Sequence, residues 1–167
     1  LDRAHGAYHL ADRQREDGKA QGRAEVVHSC ATPVLWKQHL QGEYGLGIFP
    51  LRDDGTVVWG GIDVDVYDLD LKGLEKKIVS LHLPLIVCRS KSGGAHLYLF
   101  LSEPVDAKLV RGKLMEWAVA LGYSGVEVFP KQTRLASDKD FGNWLNMPYF
   151  GERSTRYALK KGKAIDA

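Results

Sequence analysis

The stretch Gly60-Gly-Ile-Asp-Val-Asp-Val66 decides the fold. Successive residues of a strand point to opposite faces, so Ile62, Val64 and Val66 share one side and Asp63 and Asp65 the other. A strand carrying this alternation is expected over 57–67. Behind it, 69–81 has Leu71, Leu74, Ile78 and Leu81 at helical spacing. The apolar runs 84–89 and 95–101 read as short strands. Residues 104–121 form an amphipathic helix through Leu109, Val110, Leu114, Trp117, Ala118 and Leu121, ended by Gly122, and 124–129 closes as a strand.

The order β-α-β-β-α-β predicts an α+β fold with an RRM-like or ferredoxin-like sheet, its core at about 56–130. Before it, Thr32-Pro33 is an N-cap with proline in the first turn, and the helix it opens stops at Gly42. The runs 45–50 and 56–67 flank Asp53-Asp-Gly55 and read as a hairpin. Residues 1–25 mix five basic with five acidic side chains at weak periodicity. The expectation for 1–31 is therefore a loose arm or partial helix, ahead of a catalytic domain over 32–167 with an N-terminal α/β appendage. The tail from Gly151 has five basic and two acidic residues and is read as a last strand over 156–160 or a frayed end.

Two helices must cover the aliphatic face of the sheet. Asp63 and Asp65 then lie on the other face, with His96 and Tyr98 from the strand whose leucines point inward, and with Glu127. In a ferredoxin-like order the first strand sits between the third and fourth, which puts the aspartates between His96 and Glu127. Three carboxylates on one surface repel each other unless a cation lies among them, and hard divalent ions are the usual answer. Two Mg²⁺ or Mn²⁺ ions there would suit in-line displacement at a phosphate. Arg89-Ser-Lys-Ser-Gly-Gly-Ala-His96 joins two strands through a turn of cations, hydroxyls and glycines, which suits a nucleoside triphosphate. Candidates in it are Arg89, Lys91, Ser92, Gly93, Gly94 and His96. Gln132, Asn143 and Asn146, near the acidic strand, are candidates for sugar or base contacts, with turn capping as the plainer alternative.

The whole chain bounds the function. Of 167 residues, 23 are Lys or Arg and 21 Asp or Glu, a net charge of +2. That argues against a polybasic binder of nucleic acid. A template would have to meet a local patch, with Lys131, Arg134, Lys139, Arg153 and Arg156 as candidates. The two cysteines, Cys30 and Cys88, build neither a disulfide scaffold nor a zinc site, and no apolar run is long enough to span a membrane. A soluble domain, cut from something larger, is expected.

Together these residues resemble the archaeo-eukaryotic primase superfamily, especially the primase-polymerase domains of phages, plasmids and bacterial conflict systems. Ile62-Asp63-Val64-Asp65 is similar to the family's hDhD strand, Ser92-Gly-Gly-Ala-His96 to its Ser-to-His turn and strand, and Glu127 to its third carboxylate, where many members have Asp. Leu46-Gly-Ile-Phe-Pro-Leu51, Phe129-Pro-Lys-Gln132 and Gly142-Asn-Trp-Leu-Asn-Met-Pro148 resemble the conflict-system branch. The resemblance implies that Asp63, Asp65 and Glu127 hold two Mg²⁺ or Mn²⁺ ions; the sequence departs from those primases that carry a zinc-binding Cys/His cluster, so no zinc is expected. Ser92 and His96, with Lys91 or Arg89, would hold the incoming triphosphate. It further implies a primase or primer-extending polymerase on single-stranded DNA, cytoplasmic in a prokaryote, phage- or plasmid-encoded, with a helicase domain in the full-length protein. The rivals are a gap-filling polymerase that does not initiate and an RRM-like nucleic-acid-binding module.

Overall fold

The computed structural model describes residues 4–14, 20–152 and 154–166. In chain order the elements are β1 (His5–Gln14), β2 (Ala20–Val27), α1 (Pro33–Gln41), β3 (Gly45–Ile48), β4 (Thr56–Val64), α2 (Leu71–Ser80), β5 (Ile86–Arg89), β6 (Ala95–Asp106), α3 (Ala107–Leu121), β7 (Glu127–Phe129), β8 (Leu145–Asn146), β9 (Leu159–Lys160) and β10 (Lys163–Ala164). One four-stranded sheet has the order β5-β6-β4-β7, every neighbouring pair antiparallel. Its first strand in sequence, β4, thus lies between the third and the fourth. A second sheet has the order β2-β1-β3-β8, and β9 and β10 pair separately.

Helices α2 and α3 cover one face of the β4 sheet, as the aliphatic pattern requires. Ile62, Val64, Val87 and Leu97 meet Leu74 and Ile78 of α2 and Val110 and Leu114 of α3 in one buried cluster. Each such side chain contributes about 1.5–3 kcal/mol when fully buried. Caps set the helix ends. Thr32 Oγ1 accepts from Leu35 N at 3.3 Å, Asp70 Oδ1 from Gly73 N at 2.9 Å and Asp106 Oδ1 from Lys108 N at 2.8 Å. Gly42 and Gly122 close α1 and α3 in the left-handed region.

Several expectations are corrected. Among the described residues, the N-terminal segment is neither a loose arm nor a partial helix. It supplies β1 and β2, with β1 central in the second sheet. Gly6 pairs with Gly47 on β3, and the Trp144 indole lies on both: a Cβ on either glycine would approach it within 2.4 Å or 2.2 Å. The expected hairpin over 45–67 does not form either. Arg52 N donates to Thr56 O, so the local turn is there, but β3 pairs with β1 and β8 while β4 joins the other sheet.

The strand expected to end at Leu101 continues to Asp106, pairing with Val57 and Thr56, so α3 starts at Ala107 and not at Pro104. Proline is tolerated there because β5 reaches only as far as Tyr98, leaving that side of β6 without a ladder partner. The last expected strand of the motif shortens to Glu127–Phe129, and β4 stops at Val64, one residue before Asp65.

The sheet face opposite the helices is not bare. A second cluster joins Leu46 and Ile48 of β3 and Leu145 of β8 to Trp59, Tyr98 and Phe129. A register shift between Val57 and Trp59 explains why these two residues, two apart on β4, enter different clusters. At Gly61 the absent side chain leaves room for Leu145, which a Cβ would meet at 3.0 Å. The domain is therefore three layers: helices, the β4 sheet, and the β1–β3–β8 sheet over part of its far face.

Candidate active site

Strand register builds one polar row across the sheet. Cys88, His96, Asp63 and Glu127 are successive cross-strand partners on β5, β6, β4 and β7. Directly opposed side chains start from Cβ atoms about 4.5–5.5 Å apart. The next row is apolar: Ile86, Tyr98, Gly61 and Phe129.

Asp63 sits half-buried between two further carboxylates. Burial, then the charges of Asp65 and Glu127, push its carboxyl up to about 6, and Lys131 opposes them. His96 Nε2 stands 3.5 Å from Asp63 Oδ1. Burial first, and then the positive charge of Arg156, push the imidazole down to about 4, so at neutral pH this contact is no ion pair. Tyr98 donates its hydroxyl to Asn146 O at 3.0 Å, and His96 Nδ1 lies 3.3 Å from that hydroxyl. A proton on Nδ1 satisfies this network and leaves the Nε2 lone pair facing the aspartate.

Asp65 lies past the paired part of β4. Ser92 Oγ donates to its Oδ1 at 2.9 Å, and Ser90 Oγ is 3.0 Å from Ser92 Oγ. The turn that offers Ser92 rests on the end of β4: a Cβ on Gly94 would lie 2.1 Å from Val64 O, and Gly93 has φ 95°. These two glycines serve the close approach and the bend, and they do not line the cleft.

The cleft has a volume of about 700 Å³. Of the residues singled out from the sequence it gathers Asp63, Asp65, Lys91, Ser92, His96 and Arg156. Glu127 stands beside Asp63 across the ladder, but its carboxylate accepts from Lys131 Nζ at 2.6 Å. Arg89 points to the helix side of the sheet edge, where its Nη1 donates to Thr155 O. Gln132 donates to Asp140 Oδ2 at 2.6 Å, inside a loop whose backbone the same carboxyl caps at Ala136 and Gly142. Asn143 and Lys139 are exposed and outside the cleft. Arg134 bonds Asp54 O and Asp106 Oδ2 at the Thr56 end of β4, about 23 Å from Asp63 at about 3.3 Å per residue. Arg153 lies outside the described residues. Among the described residues, no three His, Cys, Asp or Glu side chains are gathered at ligating distance of one point.

The cleft is also lined by Ser90, the other hydroxyl of the turn, and by Tyr8 and Tyr67, which no motif marked. Of the three amides weighed from the sequence, Gln132, Asn143 and Asn146, the fold brings Asn146 into the cleft. Tyr8 had no local signal, because only the long-range pairing of β1 with β3 carries it there.

A family model, the archaeo-eukaryotic primase domain of TOTE conflict systems, matches residues 14–158. The chain belongs to this primase family. The match takes in every element from β3 to β8 and both sides of the polar row. It ends at Ala158, where the segment carrying Arg156 bridges to Cys88, and it starts after Tyr8. No curated protein matches the chain.

Proposed function

We propose that this primase-family domain is a metal-dependent nucleotidyltransferase. It joins nucleoside triphosphates on a single-stranded template, and the sheet order β5-β6-β4-β7 supports an RRM-like reading of its core. One observation carries the reading: Asp63 is flanked across the ladder by His96 and Glu127, with Asp65 tethered to Ser92 at the mouth of the same cleft.

The donors suit a hard divalent cation. Burial first, and then the charges of Asp65 and Glu127, raise Asp63 to about 6, and a dication would offset both. Asp63 and Asp65 would hold Mg²⁺ or Mn²⁺, and Glu127 would join them on exchanging its Lys131 partner. When bound, such ions activate an attacking hydroxyl and steady a departing pyrophosphate. The chain's own residues bind and orient: Ser92 fixes Asp65, and His96 presents a neutral nitrogen.

A passive RNA-binding sheet would show aromatics for stacking on its open face. Of the aromatics on that face, Trp59, Tyr98 and Phe129 are buried against β3 and β8, and Phe100 alone is open, at 63% exposed, where a stacking sheet would present several. The test is extension of a primed single-stranded template with Mg²⁺ or Mn²⁺, repeated without primer. Extension lost in Asp63→Asn and Asp65→Asn supports the proposal, and product without primer adds initiation. Template binding with no nucleotide incorporation under either metal would overturn it.

A further inference from the structure

We infer that Lys131 is a built-in competitor of the divalent cation: its ammonium holds Glu127 in the metal-free chain, and a cation completes the carboxylate set only by displacing it. The inference rests on the metal-dependent reading for its ligand, and on the contacts of Lys131 for the competition. It assigns Lys131 to the carboxylate centre, where the charge pattern alone suggests the template.

Glu127 and Asp63 are cross-strand partners on β7 and β4, and like charges directly opposite each other are destabilising. A positive charge is needed at this point with or without metal. Lys131 supplies it. Its Nζ donates to Glu127 Oε1 at 2.6 Å. Its charge also reaches Asp63, where it works against the burial and the two carboxylates that raise that group. Of the Lys and Arg ion pairs among the described residues, this one alone touches the polar row.

Two further contacts keep the ammonium within reach and yet exchangeable. Arg111 Nε, on α3, donates to Lys131 O at 3.1 Å, which ties this backbone to the helix layer. Lys131 Nζ also lies 5.1 Å over the Phe129 ring, whose π face attracts a cation. Released from Glu127, the ammonium keeps the ring and gains water. The pair is already open to solvent, Lys131 at 35% and Glu127 at 59%, which weakens it. The oxygens of Glu127 attract a doubly charged ion more strongly than a single ammonium, so the exchange favours the metal once it is abundant. Asp65 differs. Its partner is the neutral hydroxyl of Ser92, so its charge is available without any cation leaving. An i,i+4 surface pair with no bearing on metal would share the 2.6 Å contact, and the test separates the two.

The test measures Mn²⁺ binding at fixed pH from the EPR signal of the free ion, with neither nucleotide nor template present. Lys131→Gln should tighten Mn²⁺ about fivefold, the upper end for an exposed ion pair. Lys131→Arg keeps the charge and should bind Mn²⁺ no tighter than wild type. Lys139→Gln removes a lysine outside the cleft and should leave the affinity unchanged. In a Glu127→Gln background the effect of Lys131→Gln should shrink below about twofold, because no carboxylate remains to contest. Thermal melts give a second reading. The rise in Tm on adding Mn²⁺ should be larger in Lys131→Gln than in wild type by about 2–4 °C. Unchanged or weaker Mn²⁺ binding in Lys131→Gln, an equal gain in the Glu127→Gln background or from Lys139→Gln, or no Mn²⁺ binding by any variant would each overturn the competition. Competition without nucleotide joining under either metal would retain this inference and remove the nucleotidyltransferase reading. Joining that is lost in Asp63→Asn, with Mn²⁺ affinity unchanged in Lys131→Gln, would do the reverse.

Discussion

Ser92 Oγ donates to Asp65 Oδ1 at 2.9 Å, linking the turn before β6 to the end of β4 across 27 positions of sequence. Asp65 has no ladder partner of its own, because β4 ends at Val64. The serine therefore substitutes for strand pairing in aiming that carboxylate. Ser92→Ala should lower turnover about tenfold, as expected for losing one charge-assisted hydrogen bond. Ser92→Thr should restore much of it, and the melting temperature should barely move. Steady-state primer extension beside thermal melts checks this, and an unchanged kcat in Ser92→Ala would remove the positioning role.

Asp63→Asn should abolish nucleotidyl transfer and yet stabilise the metal-free domain. The folded carboxyl titrates at about 6 against 3.8 in the unfolded chain, so the native state holds its proton more tightly. Native stability is thus lost as pH rises from 3.8 to about 6, and the full cost is present at neutral pH. An uncharged amide escapes that cost, on the order of 1–3 kcal/mol. The expected rise in Tm with chelator present is about 2–4 °C for each kcal/mol. A lower Tm in Asp63→Asn would show that the carboxylate is held by partners and not crowded by like charges.

Much of this centre was legible because alternation is a local rule. Ile62-Asp63-Val64 assigns faces without knowledge of any partner, and the helices needed the aliphatic face, so the polar row followed. The second sheet was not legible. Its strands carry Gly6, Gly45 and Gly47, which lower strand propensity, and its order depends on pairings some 40 and 100 residues apart in the chain. Asp53-Asp-Gly55 signalled a bend correctly but could not say that its two flanks enter different sheets. Basic side chains were the least legible. Arg134 and Lys131 are ordinary surface cations by composition, and only the folded chain shows them tied to Asp106 and Glu127.

Gly47→Ala should be costly in both stability and nucleotide affinity. Its new Cβ would meet Trp144 Cδ1 at 2.2 Å, in the residue just before β8. Displacing the indole costs about 1–3 kcal/mol and shifts Asn146, whose carbonyl holds the Tyr98 hydroxyl below His96. Denaturant melts should show the loss, and KM for the nucleotide should rise. Wild-type values for both would mean that the strand moves aside freely.

His39 should make the domain acid-sensitive. The buried imidazole accepts from Leu46 N at Nδ1 (3.0 Å) and donates from Nε2 to Pro148 O (2.7 Å). A second proton would face the Leu46 N–H. Burial first, with Arg156 adding to it, holds the folded pKa below 6.5, against the carbonyls of Pro148 and Tyr44. Below 6.5 the unfolded chain takes up a proton that the native state refuses. Stability therefore falls as pH drops from 6.5, by up to about 1.4 kcal/mol per unit, until the folded pKa is passed. Urea melts between about pH 7.5 and about pH 5 should show this slope, flattened in His39→Gln. The same slope in the variant would place the sensitivity elsewhere.

Template binding by this domain alone should be weak and only mildly salt-dependent. Of the cations first assigned to it, Lys131 is held by Glu127 and Arg134 by Asp54 O and Asp106, while Arg156 faces the cleft. Lys139, Lys160 and Lys161 remain exposed. Each phosphate contact adds about 0.7 to the slope of log affinity against log salt for a single strand, so two or three contacts give a slope near −2. Affinity should then fall roughly 15-fold between about 50 and 200 mM salt. Arg134→Ala should leave both affinity and slope unchanged, whereas Lys139→Ala should reduce the slope by about 0.7. Fluorescence anisotropy with labelled single-stranded DNA across a salt series reads these values. A slope steeper than about −4 would mean that cations now tied to carboxylates let go of them to meet the template.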